Sequence, residues 1–382
     1  MSHSVLKPSG AHRWVECAGY IRISRNIAPV DSTAANEGRV AHNVAENMVD
    51  AIAKNTRYPV ASEIVGTIVD DVLITPEMYE GCNDYAAHCS YLMRESGVYF
   101  GDKMGIETAV TIPEIHDECY GTCDFWLFDT KTNTLHVVDF KFGFRPVSPV
   151  ENWQLICYAS GLMSNVNGIT DQEITVVFHI VQPRAFGQPT VRTWSANLSD
   201  FRGFVNTLSY AAHAAMEPES GCKSGPHCAD CEALLICDTA RAAEVNGLDF
   251  FNERGDVIAT DGDEMGRELD ILKRAHSAIE YRIEAIQTEA LARITRGERV
   301  NGYGIGYGRS SQKWTKPTAE VLALGDLMGK QLRKPETPIT PKQAITLGLD
   351  KTIVDAFSET FKGSQKLKPQ NQKAVKELLN NV

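Results

Sequence analysis

The chain has 382 residues, of which 43% are hydrophobic and 23% are charged, so it is long enough to bury a large core and has the balance of a globular protein. Its net charge of -11 at pH 7 excludes a surface coated uniformly in positive charge, although a local basic groove can still bind a polyanion. No apolar run reaches the roughly 20 residues of a membrane helix, and residues 1–14 lack the apolar stretch of a signal peptide, so we expect a cytosolic protein without membrane contact.

The first half of the chain alternates helix and strand patterns. Residues 36–54 place apolar side chains at helical spacing, with His42 near the start, which predicts an amphipathic helix. Three strand-like runs follow, which begin at Gly105, Cys123 and Thr134. A polar turn between the second and third runs predicts a hairpin, and a helix after Pro149 precedes two more strands. We therefore expect an α/β fold in which helices flank a mixed sheet.

The second half is expected to be mainly helical. A helical run begins at Leu198 and leads into a cysteine-rich segment, and residues 264–296 carry apolar side chains at helical spacing among many charges. This pattern predicts a long helix that packs as a hairpin partner or a short coiled coil. The predicted organisation is a domain at 1–240, a helical segment at 241–300 and a basic region at 301–382 that binds DNA or mediates assembly.

The stretch HVVDFKFG ends an apolar strand with Asp139 and Lys141. Residues two apart on a strand share a face, so the two side chains are expected on one surface, about 6–7 Å apart. Carboxylate oxygens are ligands of Mg²⁺ and Mn²⁺, and a lysine beside such a metal can orient water or neutralise charge on a phosphoryl group. An isolated D-x-K pattern is more typical of a solvated strand end, so its meaning depends on its neighbours.

Five other residues are candidates for the same site. Asp124 begins the preceding strand, where it can approach the aspartate of the paired strand, and His42 can offer a neutral imidazole to a metal. Gln154 and Tyr158 are four apart on the next helix and share a face that can meet a substrate backbone. Glu107 is a candidate for supporting the metal ligands. The alternative interpretations are a turn aspartate, a structural histidine, a helix surface with a half-buried tyrosine and an exposed glutamate.

Taken in order, these residues resemble the PD-(D/E)XK nuclease superfamily, in the branch of RecB, AddB and the CRISPR-associated adaptation exonucleases. The resemblance spans residues 9–240, with aspartate at 139 where the family more often has glutamate. It implies a restriction-endonuclease-like fold with a catalytic set of Asp124, Asp139, Lys141, Gln154 and Tyr158, in which the lysine positions the attacking water. It also implies that Mg²⁺ or Mn²⁺ is held by His42, Asp124, Asp139 and the backbone carbonyl of Phe140.

The resemblance implies a metal-dependent deoxyribonuclease, and specifically a RecB-like exonuclease of a phage or prophage that serves recombination, repair or defence. The expected partner is DNA, as single strands or duplex ends, and further candidates are a recombinase, an annealing protein, a helicase or a second copy of the chain. The chain lacks the G-x-x-x-x-G-K-[ST] loop of ATP-driven helicases. Two rival interpretations are a non-catalytic nucleic-acid-binding scaffold of the same fold and a zinc-stabilised interaction protein.

The cysteines contain a metal-binding pattern. A C-x2-C-x5-C run is formed by Cys228, Cys231 and Cys237. Three thiolates need a fourth ligand, and the spacing fits either a zinc site completed by Cys222 or His227 or an iron-sulfur site. The resemblance implies a 4Fe-4S cluster with Cys17 as the fourth ligand, although Cys222 is an alternative. The cysteines without metal spacing are expected in the core or as free thiols, and they are Cys82, Cys89, Cys119, Cys123 and Cys157.

Arg184 and a group of lysines in the C-terminal tail each have two alternative interpretations. Arg184 follows a predicted strand and is interpreted either as a contact to a DNA phosphate or as a surface arginine. The lysines of the C-terminal tail either contact a nucleic-acid backbone or are solvated. They are Lys362, Lys366, Lys368, Lys373 and Lys376.

Overall fold

The computed structural model describes residues 4–27, 33–99, 101–165, 174–243 and 262–304, with the isolated positions 323 and 327. The chain divides into two compact units, Met1–Val321 and Leu322–Val382. The sheet and the helices that flank it belong to the first unit. The tail lysines and the β-like element after residue 304 lie outside the described residues, so their roles stay predictions.

A five-stranded mixed sheet forms the centre of the first unit. A small antiparallel hairpin of β1 (Ile68–Val69) and β2 (Val72–Leu73) lies apart from it. The main sheet has the strand order β3 (Met104–Thr111), β4 (Tyr120–Asp129), β5 (Thr134–Phe140), β6 (Thr175–Val181) and β7 (Val191–Asn197). Strands β5 and β6 are parallel and the other neighbours are antiparallel. A parallel pair needs a crossover connection, and the helix between β5 and β6 supplies it.

Helices cover both faces of this sheet. The described helices are α1 (Ala11–Glu16), α2 (Tyr20–Ser24), α3 (Thr33–Ala53), α4 (Ala61–Ile64), α5 (Pro76–Ser96), α6 (Trp153–Asn165), α7 (Leu198–Met216) and α8 (Gly262–Thr295). Short 3-10 turns occur at Pro8–Gly10, Pro226–Asp230 and Leu234–Ile236. One core lies between the sheet and helices α3 and α5, and the other lies between the sheet and helices α1, α2, α6 and α7. The predicted mixed sheet with flanking helices is therefore confirmed.

Burial on both faces explains the apolar composition of the central strands. On β4, Phe125 and Leu127 belong to the core under α3 and α5, whereas Trp126 and Phe128 belong to the opposite core. A strand buried on both faces is expected to be a near-continuous apolar run. Phe140 at the end of β5 is fully buried because it faces α3 and α5.

The predicted helices and strands of the first unit are confirmed, but a long helix was missed. Helix α5 begins after Thr75, whose side chain accepts a hydrogen bond from the Met78 amide, and Pro76 occupies its first turn. It ends at Gly97, which has a left-handed φ of 76°. Helix α8 packs against the cysteine-rich turns, where Arg282 Nη1 donates to the Leu234 carbonyl at 3.2 Å. None of the described helices is both long and apolar enough to cross a bilayer.

Helix α6 approaches the sheet closely at Gly161. A Cβ at this position would overlap Val110 Cγ1 and lie 2.5 Å from the Thr111 carbonyl oxygen. Because that oxygen belongs to the backbone of β3, Gly161→Ala is expected to lower the free energy of unfolding by about 1–3 kcal/mol in urea titrations. Gly203 on α7 is a matched control, since its Cβ would meet nothing within 4 Å, and Gly203→Ala is expected to raise stability by roughly 0.5–1 kcal/mol. Equal effects of the two substitutions would contradict this packing.

Candidate metal centre

Three predicted site residues come together at one end of the sheet. His42 on α3, Glu107 on β3 and Asp124 on β4 each offer a ligand atom, and these atoms lie within 4.8 Å of one another. The Nδ1 atom of His42 is 3.6 Å from Asp124 Oδ2. Among the described residues, no other group of three or more histidine, cysteine, aspartate or glutamate side chains meets this condition. Glu107 therefore lies beside two of the predicted ligands, where its own carboxylate could bind the metal, although the sequence predicted only a supporting role.

Asp139 and Lys141 form a second cluster with Gln154. Lys141 Nζ donates to Asp139 Oδ1 at 3.1 Å and to Gln154 Oε1 at 3.1 Å, and Gln154 Nε2 donates to Asp139 Oδ1 at 2.8 Å. The D-x-K pair therefore lies on one face, as predicted, and helix α6 holds it there. Asp139 is not part of the close group of three around Asp124.

The two clusters are joined across the β4–β5 hairpin. Asp124 Oδ2 accepts a hydrogen bond from the Phe140 amide at 2.8 Å, so this carboxylate is anchored to the residue between Asp139 and Lys141. The hairpin register explains the contact: because Phe125 pairs with Val138, one step further along the two strands brings Asp124 close to Asp139 and to the amide of the next residue, Phe140. The role predicted for the Phe140 carbonyl stays a prediction.

The donor set fits a divalent cation. Asp139 is 2% exposed, and its Oδ2 atom lies 2.9 Å from Lys141 Nζ, its ion-pair partner. Burying a carboxylate is costly unless a positive charge lies beside it, and a divalent cation is a second group that can supply such a charge. Carboxylate oxygens and an imidazole are ligands that Mg²⁺ and Mn²⁺ accept, so the chemistry of the residues present is compatible with such an ion.

The crowded carboxylates raise one another's pKa. Burial, together with Asp124, Glu46 and Asp139, raises the pKa of Glu107 to about 7. Burial and the Asp139 carboxylate raise the pKa of Asp124 to about 6. Burial alone would lower the pKa of Lys141, but Asp139 and Asp124 raise it above its ordinary value, so the lysine stays a cation at neutral pH. A bound divalent cation would relieve the repulsion among these carboxylates.

Glu107 has a strained backbone. Its φ of 43° lies in the left-handed region, which residues with a Cβ rarely adopt. Ile106 pairs with Phe125 and Thr108 pairs with Cys123, so Glu107 is left out of the ladder at the position facing Asp124. Backbone strain of this kind occurs preferentially at functional sites.

Tyr158 is an interior support of the site. Its side chain is 5% exposed, so the alternative of a half-buried tyrosine on a helix surface is wrong. Burial first, and then the charges of Asp139 and Asp124, raises the pKa of Tyr158, while its hydrogen bond with Gln154 opposes that shift. The phenol therefore stays neutral.

Arg184 is buried, so the interpretation as a surface arginine is wrong. Its guanidinium donates to both carboxylate oxygens of Glu37, to both of Glu77 and to the Phe142 carbonyl. These contacts use all five N–H donors of the side chain. A DNA phosphate could be bound by Arg184 only after some of these bonds are broken.

Glu46 is a candidate that the sequence analysis missed. It lies four residues after His42 on α3, which places both side chains on one face of that helix. Its charge contributes to the raised pKa of Glu107. The H-x-x-x-E spacing was a signal that could have identified it.

The cysteine-rich turns pack against the end of helix α1. The Lys223 amide donates to Cys17 Sγ at 3.3 Å, and the Gly19 amide donates to the Gly221 carbonyl at 2.9 Å. Burial and the neighbouring Cys17 and Cys237 thiols raise the pKa of Cys222 to about 12. Burial likewise raises the pKa of Cys231 to about 11.

The N-terminal and C-terminal cysteines are thus neighbours, but no three of these sulfurs lie within 4.8 Å of one another in the described structure. The cluster and the zinc site both stay predictions. The cysteines without metal spacing are buried, which confirms them as core residues: Cys82, Cys89, Cys119, Cys123 and Cys157.

The raised carboxyl pKa values predict how the stability of the metal-free protein depends on pH. Glu107 and Asp124 bind protons more tightly in the folded chain than in the unfolded chain, where their ordinary pKa values are 4.5 and 3.8. The contribution of these two carboxyl groups to the free energy of unfolding is therefore expected to fall as pH rises from about 4 to about 7. Glu107→Gln should flatten this decline in thermal melts with a chelator, whereas Glu219→Gln at an exposed position should not. An unchanged pH profile in Glu107→Gln would contradict the shift.

Residues 3–374 match the family described as "Protein of unknown function (DUF2800)". Because the match covers nearly the whole chain, the protein belongs to this family. That description names no activity, so the proposals below depend on the geometry of the site and on its motifs.

Proposed function

We propose that this member of the DUF2800 family is a metal-dependent DNA nuclease of the PD-(D/E)XK type that acts as an exonuclease. The observation that carries the proposal is the cluster of Asp139, Lys141 and Gln154 joined through Phe140 to Asp124 on the paired strand. The mixed sheet with helices on both faces is compatible with a restriction-endonuclease-like core. The second support is the order of the motif residues along the chain, which resembles the order in that superfamily.

The residues that would hold Mg²⁺ or Mn²⁺ are His42, Glu107 and Asp124, with Asp139 Oδ2 as a further ligand. When bound, such an ion would polarise a phosphoryl oxygen and lower the pKa of a water ligand. Glu107 is therefore proposed as a ligand, where the sequence analysis expected a supporting role.

The remaining residues would orient the reacting groups. Lys141 is held by Asp139 and Gln154 and stays protonated, so its ammonium can position the attacking water and stabilise negative charge on the phosphate. Gln154 fixes the orientations of both partners, and the neutral Tyr158 supports Gln154. In this proposal Gln154 and Tyr158 are positioning residues.

We also propose that the cysteines hold a 4Fe-4S cluster, with zinc as the alternative. The ligands would be Cys17, Cys228, Cys231 and Cys237. The packing of the cysteine-rich turns against α1 supports this proposal, because one cofactor could then tie both ends of the first 240 residues together. Hydrolysis of a phosphodiester transfers no electrons, so the cluster would be structural.

Divalent metal binding is expected to stabilise the protein through the residues of the candidate centre. At about 100 times the dissociation constant, Mn²⁺ should raise the free energy of unfolding by roughly 2.7 kcal/mol, measured as a shift in thermal melts. Asp124→Asn should abolish most of that shift. Asp50→Asn on the same helix as His42 is the control, since Asp50 pairs with Lys54 at the surface. A full Mn²⁺ shift in Asp124→Asn would refute the proposed ligand set.

The proposed exonuclease action is tested on uniformly labelled DNA. Anaerobically purified protein with Mg²⁺ or Mn²⁺ is expected to degrade linear single strands or linear duplexes and to leave covalently closed circles intact. Cleavage of circles at a similar rate would replace the exonuclease assignment with an endonuclease. A protein that binds these DNAs and cleaves none would favour the non-catalytic scaffold.

A further inference from the structure

Two exposed phenylalanines form a parallel pair beside the candidate site. Phe144 is 54% exposed and Phe186 is 82% exposed. Their ring centroids are 6.1 Å apart and their planes differ by 5°, which is an offset-stacked arrangement. A single exposed aromatic residue needs no explanation, but two parallel rings present an aromatic face on which another aromatic ring can stack.

A buried cation supports one ring of this pair, Phe144. The guanidinium carbon of Arg184 lies 4.7 Å from the Phe144 ring centroid and 3.8 Å from the Phe142 ring centroid. The carboxylates of Glu37 and Glu77 hold the guanidinium in place. Phe144 is therefore supported by a group that cannot rotate freely, so less conformational entropy is lost when a ligand stacks on the pair.

Further aromatic contacts connect Phe142 to the candidate metal centre. Phe142 packs on Phe140 with ring centroids 6.1 Å apart, and Phe140 packs edge-on against His42 at 5.2 Å. The exposed rings and a proposed metal ligand thus belong to one continuous set of contacts.

The chain also limits how far the exposed rings can be from the reaction. Phe144 follows Lys141 by three residues, so their Cα atoms are at most about 11 Å apart. The ring of Phe144 and a phosphate at Lys141 can therefore be contacted by one short stretch of a DNA strand, as in other binding sites for single strands. The side chain of Arg145, the next residue, forms a surface ion pair with Asp230 at 3.0 Å, which a DNA phosphate could replace at small cost.

We infer that Phe144 and Phe186 are a stacking platform for unpaired bases, so that the substrate of this site is single-stranded DNA. The inference rests on the proposed nuclease function and names its substrate. Bases within a duplex already stack on their neighbours, whereas the bases of a single strand are free to stack on aromatic side chains.

The inference is tested by binding without cleavage. The probes are a fluorescein-labelled oligothymidylate of about 20 nucleotides and an abasic oligomer of the same length, followed by fluorescence anisotropy in EDTA. The full-length wild type is expected to prefer the probe that carries bases. The double variant Phe144→Ala/Phe186→Ala should bind that probe about 5- to 100-fold more weakly and bind the abasic probe as the wild type does.

Two further variants separate stacking from general damage. Phe186→Trp is expected to retain binding, because the indole also offers an aromatic face. Tyr210→Ala removes an equally exposed aromatic side chain, 82% exposed on α7, and should change neither affinity. Wild-type affinity of the double variant for oligothymidylate, an equal loss for both probes, or no preference of the wild type for bases would each overturn the platform.

The platform and the nuclease can fail separately. If the wild type cleaves DNA with Mn²⁺ but the double variant binds oligothymidylate normally, the platform is refuted and the nuclease stands. If the expected binding differences are found but no DNA is cleaved, the platform stands as a binding site and the nuclease is refuted.

Discussion

Replacing Lys141 by methionine is expected to lower the rate of metal-dependent DNA cleavage by about 10²- to 10³-fold, measured as initial rates at saturating Mn²⁺. Methionine keeps the apolar stem of the side chain but removes the ammonium that contacts Asp139 and Gln154. Binding of Mn²⁺ should persist, because the proposed ligands are untouched and the metal can compensate the charge of Asp139.

Comparing Lys141→Met with Asp139→Asn separates the role of the lysine from the role of the carboxylate. Asp139→Asn should reduce both cleavage and Mn²⁺ affinity, since Asp139 Oδ2 is a proposed ligand. Lys131→Met is a matched control, because this exposed lysine lies in the turn after β4 and its Nζ donates to the Glu95 carbonyl at 3.4 Å, away from the candidate site. Cleavage by Lys141→Met at the rate of the wild type would remove the lysine from the proposed mechanism.

Replacing Cys237 by serine is expected to cause the largest loss of stability. Wild-type protein purified without oxygen should contain about four iron atoms and as many acid-labile sulfides per chain. Cys237→Ser should lose most of this iron, and the free energy of unfolding should fall by several kcal/mol because the metal–thiolate bonds form only in the folded protein. Iron and sulfide analysis together with chemical unfolding measures both effects.

Other cysteine variants identify the ligands. Cys89→Ala alters a buried thiol without metal spacing and should retain iron while losing only packing energy. Cys222→Ser should retain iron if Cys17 is the fourth ligand. Zinc in place of iron would contradict the cluster and support the zinc site, and the absence of both metals in every preparation would contradict both.

The sequence predicted the parts of the site that follow from local patterns. A short polar turn between two apolar runs placed Asp124 and Asp139 on adjacent strands, and the strand period placed Asp139 and Lys141 on one face. The spacing of Gln154 and Tyr158 placed both on one face of α6. These relations involve neighbours in sequence or adjacent strands, so they can be read from order and spacing.

Other features depend on contacts that no local pattern encodes. Arg184 pairs with Glu37 and Glu77, which are 147 and 107 residues away in the sequence. The left-handed backbone of Glu107, which faces Asp124, is set by the way β3 and β4 pair. Helix α5 was missed although its ends are marked by Thr75 and Gly97, because its apolar positions are interrupted by small and polar residues.

The proposed cluster is expected to hydrolyse DNA with a divalent metal. Anaerobically purified wild-type protein is incubated with labelled linear DNA in Mn²⁺ and in EDTA, beside Asp124→Asn prepared in the same way. Cleavage by the wild type is expected to require Mn²⁺ and to be lost in the variant. No cleavage by a folded wild-type protein in Mg²⁺ or Mn²⁺, or equal cleavage by Asp124→Asn, would contradict it.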